Sequence, residues 1–123
     1  MDQVPLRVRF CPAPSGWLHV GSARAALYNW LHARRFGGAF IFRIEDTDAS
    51  RATEASMRSM MEAMRWVGLD WDEGPTDDGG SMGDYGPYRQ SARAKLYAEV
   101  TRRLEDAGAT YRDYRSADEL EIW

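Results

Sequence analysis

Apolar and polar positions alternate near the start of the chain: Leu6, Val8 and Phe10 share one face and Arg7 and Arg9 the other, which predicts a short strand over 6–10. The period then changes. Between Ser22 and Phe36 the apolar residues Ala23, Ala26, Leu27, Trp30 and Leu31 recur at helical spacing, and Gly37-Gly38 supplies a stop. Residues Ala39 to Ile44 are mostly aromatic or β-branched, as in a strand buried in a parallel sheet. Strand, helix and strand in this order make a βαβ unit, so the expected class is α/β with a parallel sheet.

Further along, Thr53 is placed to cap a second helix that carries Met57, Met60, Met61, Met64 and Val67 on one face and stops at Gly68; methionines in that pattern read as core filling. From Asp72 to Pro87 the composition shifts to Asp, Gly and Pro, which predicts a long irregular loop. Ser91 can cap a third helix with Leu96, Val100 and Leu104 turned inward and Gly108 as its stop. Ser116 and Glu119 have capping-box spacing and open a fourth helix, in which the chain stops at Trp123. A chain that stops so soon after a helix start is expected to be part of something longer.

The 123 residues suit one domain's worth of chain, and 44% hydrophobic with 28% charged residues is a globular composition. No apolar run approaches a membrane span, and the amino terminus lacks the basic start and apolar run of a secretory signal, so a reducing cytoplasm and no membrane partner are expected. One cysteine, Cys11, excludes an internal disulfide, and with two histidines it makes a structural zinc site implausible. A net charge of −3 argues against nucleic-acid binding by non-specific attraction alone, though a local basic patch stays compatible with it.

Chemistry concentrates in residues 11–22, between the first strand and the first helix, at the end of the sheet where open α/β folds bind ligands. Gly21 and Ser22 mark the predicted helix start, whose free N–H groups and positive dipole end favour phosphate. His19 precedes it by two residues. Its imidazole can donate to a phosphate oxygen; equally, it can cap a backbone group. Arg9 can face solvent beside Arg7, and Glu45, Asp46 and Asp48 can form a solvated acidic turn. Asp72, Glu73, Asp77, Asp78 and Asp84 match no ligand spacing and read as a solvated loop.

His19-Val-Gly-Ser22 resembles the HIGH signature of class I aminoacyl-tRNA synthetases. Together with Arg9-Phe-Cys-Pro-Ala-Pro-Ser-Gly16, Ala23-Arg-Ala-Ala-Leu-Tyr-Asn-Trp30, Arg43-Ile-Glu-Asp-Thr-Asp48, Gly68-Leu-Asp-Trp-Asp-Glu-Gly-Pro75, Tyr88-Arg-Gln-Ser91 and Ala109-Thr-Tyr-Arg112, the chain resembles the glutamyl-tRNA synthetase family over nearly its whole length.

The resemblance implies the first half of a Rossmann-like doubly wound parallel sheet over 1–71, and over 72–123 a loop and the start of an inserted region that binds the tRNA acceptor end. It implies ATP, with Mg2+, as a substrate, activation of L-glutamate as an adenylate, and transfer to the 3′ end of tRNA(Glu). His19, Gly21 and Ser22 then meet ATP, and Arg9 and Glu45 hold the amino acid. Cys11 and Ala13 fall where the family commonly has alanine and serine, so Ala13 cannot supply the serine hydroxyl to that pocket. Arg89 falls where it can meet tRNA phosphate.

Asp113 and Arg115 stand where many relatives carry zinc-binding cysteines, so no zinc is expected. The lysine-rich second signature of the class is missing from these 123 residues, and the isolated chain is accordingly expected to be inactive. Two other readings remain open: an enzyme like glutamyl-Q tRNA(Asp) synthetase, and a short non-catalytic paralogue that binds nucleotide or tRNA.

Overall fold

Strand β1 (Arg7–Phe10) and strand β2 (Ala39–Phe42) pair in parallel, with Val8 opposite Phe40 and Phe10 opposite Phe42. The chain is seen in a computed structural model that describes residues 5–14, 17–48 and 50–120. Ser15 and Gly16 of the first loop, and Trp123 of the last predicted helix, lie outside the described residues. Helix α1 (Val20–Phe36) connects the two strands and completes the expected βαβ unit. Gly37 closes α1 at a φ of 62°, a left-handed conformation that costs glycine nothing.

Alternation divides the sheet into two chemistries. Phe10, Phe40, Phe42 and Ile44 are buried on one face, where Phe10 and Phe42 stack at 6.1 Å and Trp71 meets the Phe42 edge at 5.0 Å. Helix α2 (Glu54–Trp66) adds Met57, Met60, Met61 and Met64 to the same core, as its sequence pattern predicts. Thr53 caps it in a reciprocal box with Ser56. Helix α1 packs mainly through the fully buried Ala26 and Ala33, with Trp30 partly covered between them. Leu27 and Leu31, predicted inward, are 43% and 48% exposed, because each sits about 100° around the helix from the Ala26–Trp30–Ala33 stripe.

The other edge of β2 corrects the loop expected over 72–87. Asp72 N–H donates to the Phe40 carbonyl and Phe42 N–H to the Glu73 carbonyl, so this segment runs as a short parallel rung of the sheet. A small antiparallel pair follows, β3 (Gly74–Pro75) with β4 (Ser81–Met82). Glu73, read from sequence as solvated, is only 8% exposed. The Arg7 guanidinium grips both its carboxylate oxygens, Tyr88 donates to Oε2 at 2.5 Å, and Arg7 lies 4.2 Å from the Tyr85 ring centroid. Two-residue alternation explains the pairing, since Arg7 and Glu73 lie on one face of β2 and flank it. The Arg7 contact holds the Glu73 carboxyl below the usual range against the opposing effect of burial, and burial followed by the hydrogen bond to Glu73 raises the Tyr88 phenol. Asp72 is likewise structural, accepting from Phe40 N–H at 2.7 Å and pairing with Arg34.

Residues Met1–Arg93 form one compact unit and Ala94–Trp123 a second. The second contains α3 (Ala94–Asp106) and the four-residue α4 (Ala117–Leu120). Its capping box forms as expected, with Ser116 N–H on Glu119 Oε2 at 2.7 Å and Glu119 N–H on Ser116 Oγ at 3.4 Å. Leu96, Val100 and Leu104, predicted inward, are 43–44% exposed, because among the described residues of this unit no second layer covers them. Among the described residues no helix is long and apolar enough to cross a membrane.

Candidate functional site

The first loop leaves β1 at Phe10 and opens a cavity of about 650 Å³ at the carboxyl end of the strand. Cys11, Ala13, His19, Gly21 and Ser22 line it, as do Phe10, Trp17 and Met60. Five of the eight residues singled out from sequence therefore share one wall. Arg9, Glu45 and Arg89 do not line this cavity.

Helix α1 begins at Val20, two residues before the predicted start, because His19 takes the N-cap position with an extended backbone. Its Nδ1 accepts the Ser22 N–H at 3.3 Å, and its Nε2 lies 2.9 Å from Ser22 Oγ. Accepting at Nδ1 requires the tautomer that carries its proton on Nε2, so the ring presents one N–H donor beside the helix terminus. Gly21 makes room for this arrangement: a Cβ there would stand 3.1 Å from both Cε1 and Nδ1 of His19. His19 therefore caps α1 through Nδ1, and its Nε2 is engaged by the Ser22 hydroxyl. Cys11 is a free, partly buried thiol.

Beyond Phe10 the β1–β2 ladder continues through carbonyls of the loop: Arg43 N–H donates to Phe10 and Glu45 N–H to Pro12. By strand alternation Arg9, Arg43 and Glu45 fall on the face opposite Phe10. Arg9 is exposed and sits across from Ile41, four residues before Glu45, which separates the two backbones by roughly 13 Å along the strand direction. The two side chains do not pair. Glu45 Oε1 is held instead by Arg43 Nη2 at 2.7 Å, and Oε2 has no hydrogen bond among the described residues.

The acidic turn after Glu45 is built rather than merely solvated. Asp46 accepts Ser91 N–H at 2.8 Å and Ser91 O–H at 2.7 Å. Asp48 gathers Ser50 and Arg51, and these contacts, Ser50 first, lower its carboxyl to about 2. Arg89 is committed as well: both its terminal nitrogens meet Glu54 at 2.5 and 3.1 Å, so it reaches a phosphate only by exchanging that partner. Ser91, expected to cap the third helix, instead opens the 3₁₀ turn Ser91–Arg93 with its hydroxyl on Asp46.

Sequence reasoning missed Trp17, whose indole is 85% exposed at the cavity rim, and gave Met60 only a core role. A tryptophan set in a Pro/Gly-rich loop, outside any strand or helix pattern that would give it a core position, was the available signal for the first. Nothing in the pattern of α2 marked Met60 as both core and cavity wall.

Residues 5–122 match the family model described as tRNA synthetases class I (E and Q), catalytic domain. A curated glutamate--tRNA ligase from Mycobacterium ulcerans is 51% identical over 121 residues, 98% of this chain and 24% of that protein. The glutamate-tRNA synthetase of Elizabethkingia anophelis superposes with a TM-score of 0.80 at 41% identity, over 97% of this chain and 23% of its own. The glutamate tRNA ligase of Elizabethkingia meningosepticum, solved in complex with its amino acid, gives 0.79 at 41% identity over the same shares. The chain spans about a quarter of the length of the curated relatives it matches.

Proposed function

From the premise that the chain belongs to the class I tRNA synthetase family (E and Q), in its catalytic domain, we propose that it supplies one wall of the active site of a glutamate--tRNA ligase. The substrates are ATP with Mg2+, L-glutamate and tRNA(Glu). A glutamate carboxylate oxygen attacks the α-phosphorus of ATP and pyrophosphate leaves with the electron pair of the broken P–O bond; a hydroxyl of the terminal ribose then attacks the adenylate's carbonyl carbon, losing its proton, and AMP leaves. No covalent intermediate on the protein is required. On this reading 1–71 is the first half of the nucleotide-binding fold and 72–123 leads into the region that receives the tRNA acceptor end.

The observation that carries the reading is the N-terminus of α1, where His19 directs its Nε2 proton to Ser22 Oγ beside the free N–H groups of the helix. A phosphate oxygen arriving there accepts that proton in place of the hydroxyl and meets the positive end of the helix. Arg9 and Glu45 suit the two ends of a zwitterion, one cationic and one anionic, on the same face of the sheet and far enough apart to admit an amino acid between their side chains. Cys11 and Ala13 form the intervening wall without a hydroxyl. In the gene's complete product, His19→Ala is expected to slow glutamate- and tRNA-dependent ATP–pyrophosphate exchange by ~10²-fold or more, the scale of one lost transition-state donor. Exchange at the unmutated rate would refute the assignment.

A further inference from the structure

Glu45 is fixed from both sides by one segment of chain. Before it, Ile44 N–H donates to the Tyr88 carbonyl and the Ile44 carbonyl accepts Gln90 N–H, both at 2.9 Å. After it, both oxygens of Asp46 are consumed by Ser91, one by its backbone N–H and one by its hydroxyl. The Glu45 N–H itself donates to Pro12, a residue of the cavity wall. Eight residues downstream of Asp46, Glu54 grips Arg89 of the same 88–91 segment through both guanidinium ends. The contacts of this clasp are distributed over backbone and side chains, and only one carboxylate oxygen of Glu45 is left without a partner among the described residues.

We propose that Asp46, through its paired hydrogen bonds to Ser91, is a positioning residue that sets the Glu45 carboxylate for the substrate ammonium. This rests on the assignment of Glu45 made above and extends it to a residue that itself touches no substrate. The physical reason is preorganisation. A carboxylate that must meet a small cation binds it tightly only if its backbone is already fixed, because ordering it at the moment of binding would subtract from affinity. Asp46 is the first residue after Glu45 with a side-chain anchor, and a two-point contact fixes the direction of the chain as one hydrogen bond would not. His19, Gly21 and Ser22, the residues assigned to ATP, are not among the partners of this clasp, so the effect is expected to fall on the amino acid.

The test is steady-state aminoacylation by the gene's complete product and its variants Glu45→Gln, Asp46→Ala, Ser91→Ala and the Asp46→Ala/Ser91→Ala pair. Asp46→Ala, which removes both contacts, is expected to raise the KM for glutamate about tenfold while the KM for ATP stays within twofold. Ser91→Ala keeps the backbone donor and is expected to give a smaller rise, about threefold; the pair should be no worse than Asp46→Ala alone, since that change already removes the contact the hydroxyl makes. Glu45→Gln should raise the glutamate KM most. If Asp46→Ala fails to fold, Ser91→Ala carries the test by the same split between the two KM values. An Asp46→Ala protein whose glutamate KM is unchanged while that of Glu45→Gln rises overturns the positioning role and leaves the Glu45 assignment standing. A Glu45→Gln protein with an unchanged glutamate KM overturns both. Equal rises in both KM values, with a lowered melting temperature, would make Asp46 a folding residue and overturn the proposal.

Discussion

Replacing Glu73 with glutamine keeps the volume of the side chain and removes the charge that Arg7 and Tyr88 converge upon. Glutamine offers one acceptor oxygen, so one of the three donors now on the carboxylate, two from Arg7 and one from Tyr88, meets an amide N–H group instead. Breaking a fully buried ion pair costs about 3–5 kcal/mol, but the Arg7 side chain is 30% exposed and recovers part of its hydration, which brings the expected loss to about 2–3 kcal/mol. The Phe42 amide, which donates to the Glu73 carbonyl at 2.8 Å, reports that loss directly in hydrogen exchange. Its opening equilibrium should rise roughly 30- to 150-fold at pH 7 in Glu73→Gln. The pH dependence has a definite sign. Arg7 holds the folded-state carboxyl below its ordinary value of 4.5, so the stabilisation is fully present above that value and is lost as pH falls through the folded one. Wild type and variant should therefore converge as the pH falls below the folded-state value, where the protonated carboxyl resembles the amide. A difference below threefold at pH 7, or one that does not narrow on acidification, would refute the account of Glu73 as a charged structural centre.

In the gene's complete product, Arg9→Leu is expected to raise the KM for glutamate tenfold or more and leave that for ATP nearly unchanged; equal effects on both would indicate a folding role instead. Met64→Ala, at a fully buried position of α2, should lower stability by about 2–5 kcal/mol in denaturant titration with an unchanged slope, and a loss under 1 kcal/mol would show that the site collapses around the smaller residue.

Local order was legible in the sequence where one segment decides its own structure. The alternation of Leu6 to Phe10, the Thr53 cap, the methionine face of α2 and the glycine at the end of α1 each depend on neighbours within a few residues, and each appears in the structure as expected. The chemistry of the first loop was legible for the same reason: His19, Gly21 and Ser22 lie within one turn, so their juxtaposition follows from helix geometry. What the sequence could not decide were contacts between segments far apart along it. Glu73 reads as one more acid in a Gly- and Asp-rich loop until β2 brings it within reach of Arg7, 66 residues away. Asp46 and Ser91 are 45 residues apart, and Arg89 and Glu54 are 35 apart. A charged residue is equally content in water or in a pair, so its own pattern carries no signal of which it finds. An apolar residue does carry such a signal, and it misleads only where, as for Leu27, Leu31 and the α3 leucines, no element of the same unit arrives to cover it. The sequence alone therefore determined the βαβ order and the cluster of His19, Gly21 and Ser22 at the first helix start, whereas tertiary structure decided which acids keep an unpaired oxygen and which are already spent on holding the fold.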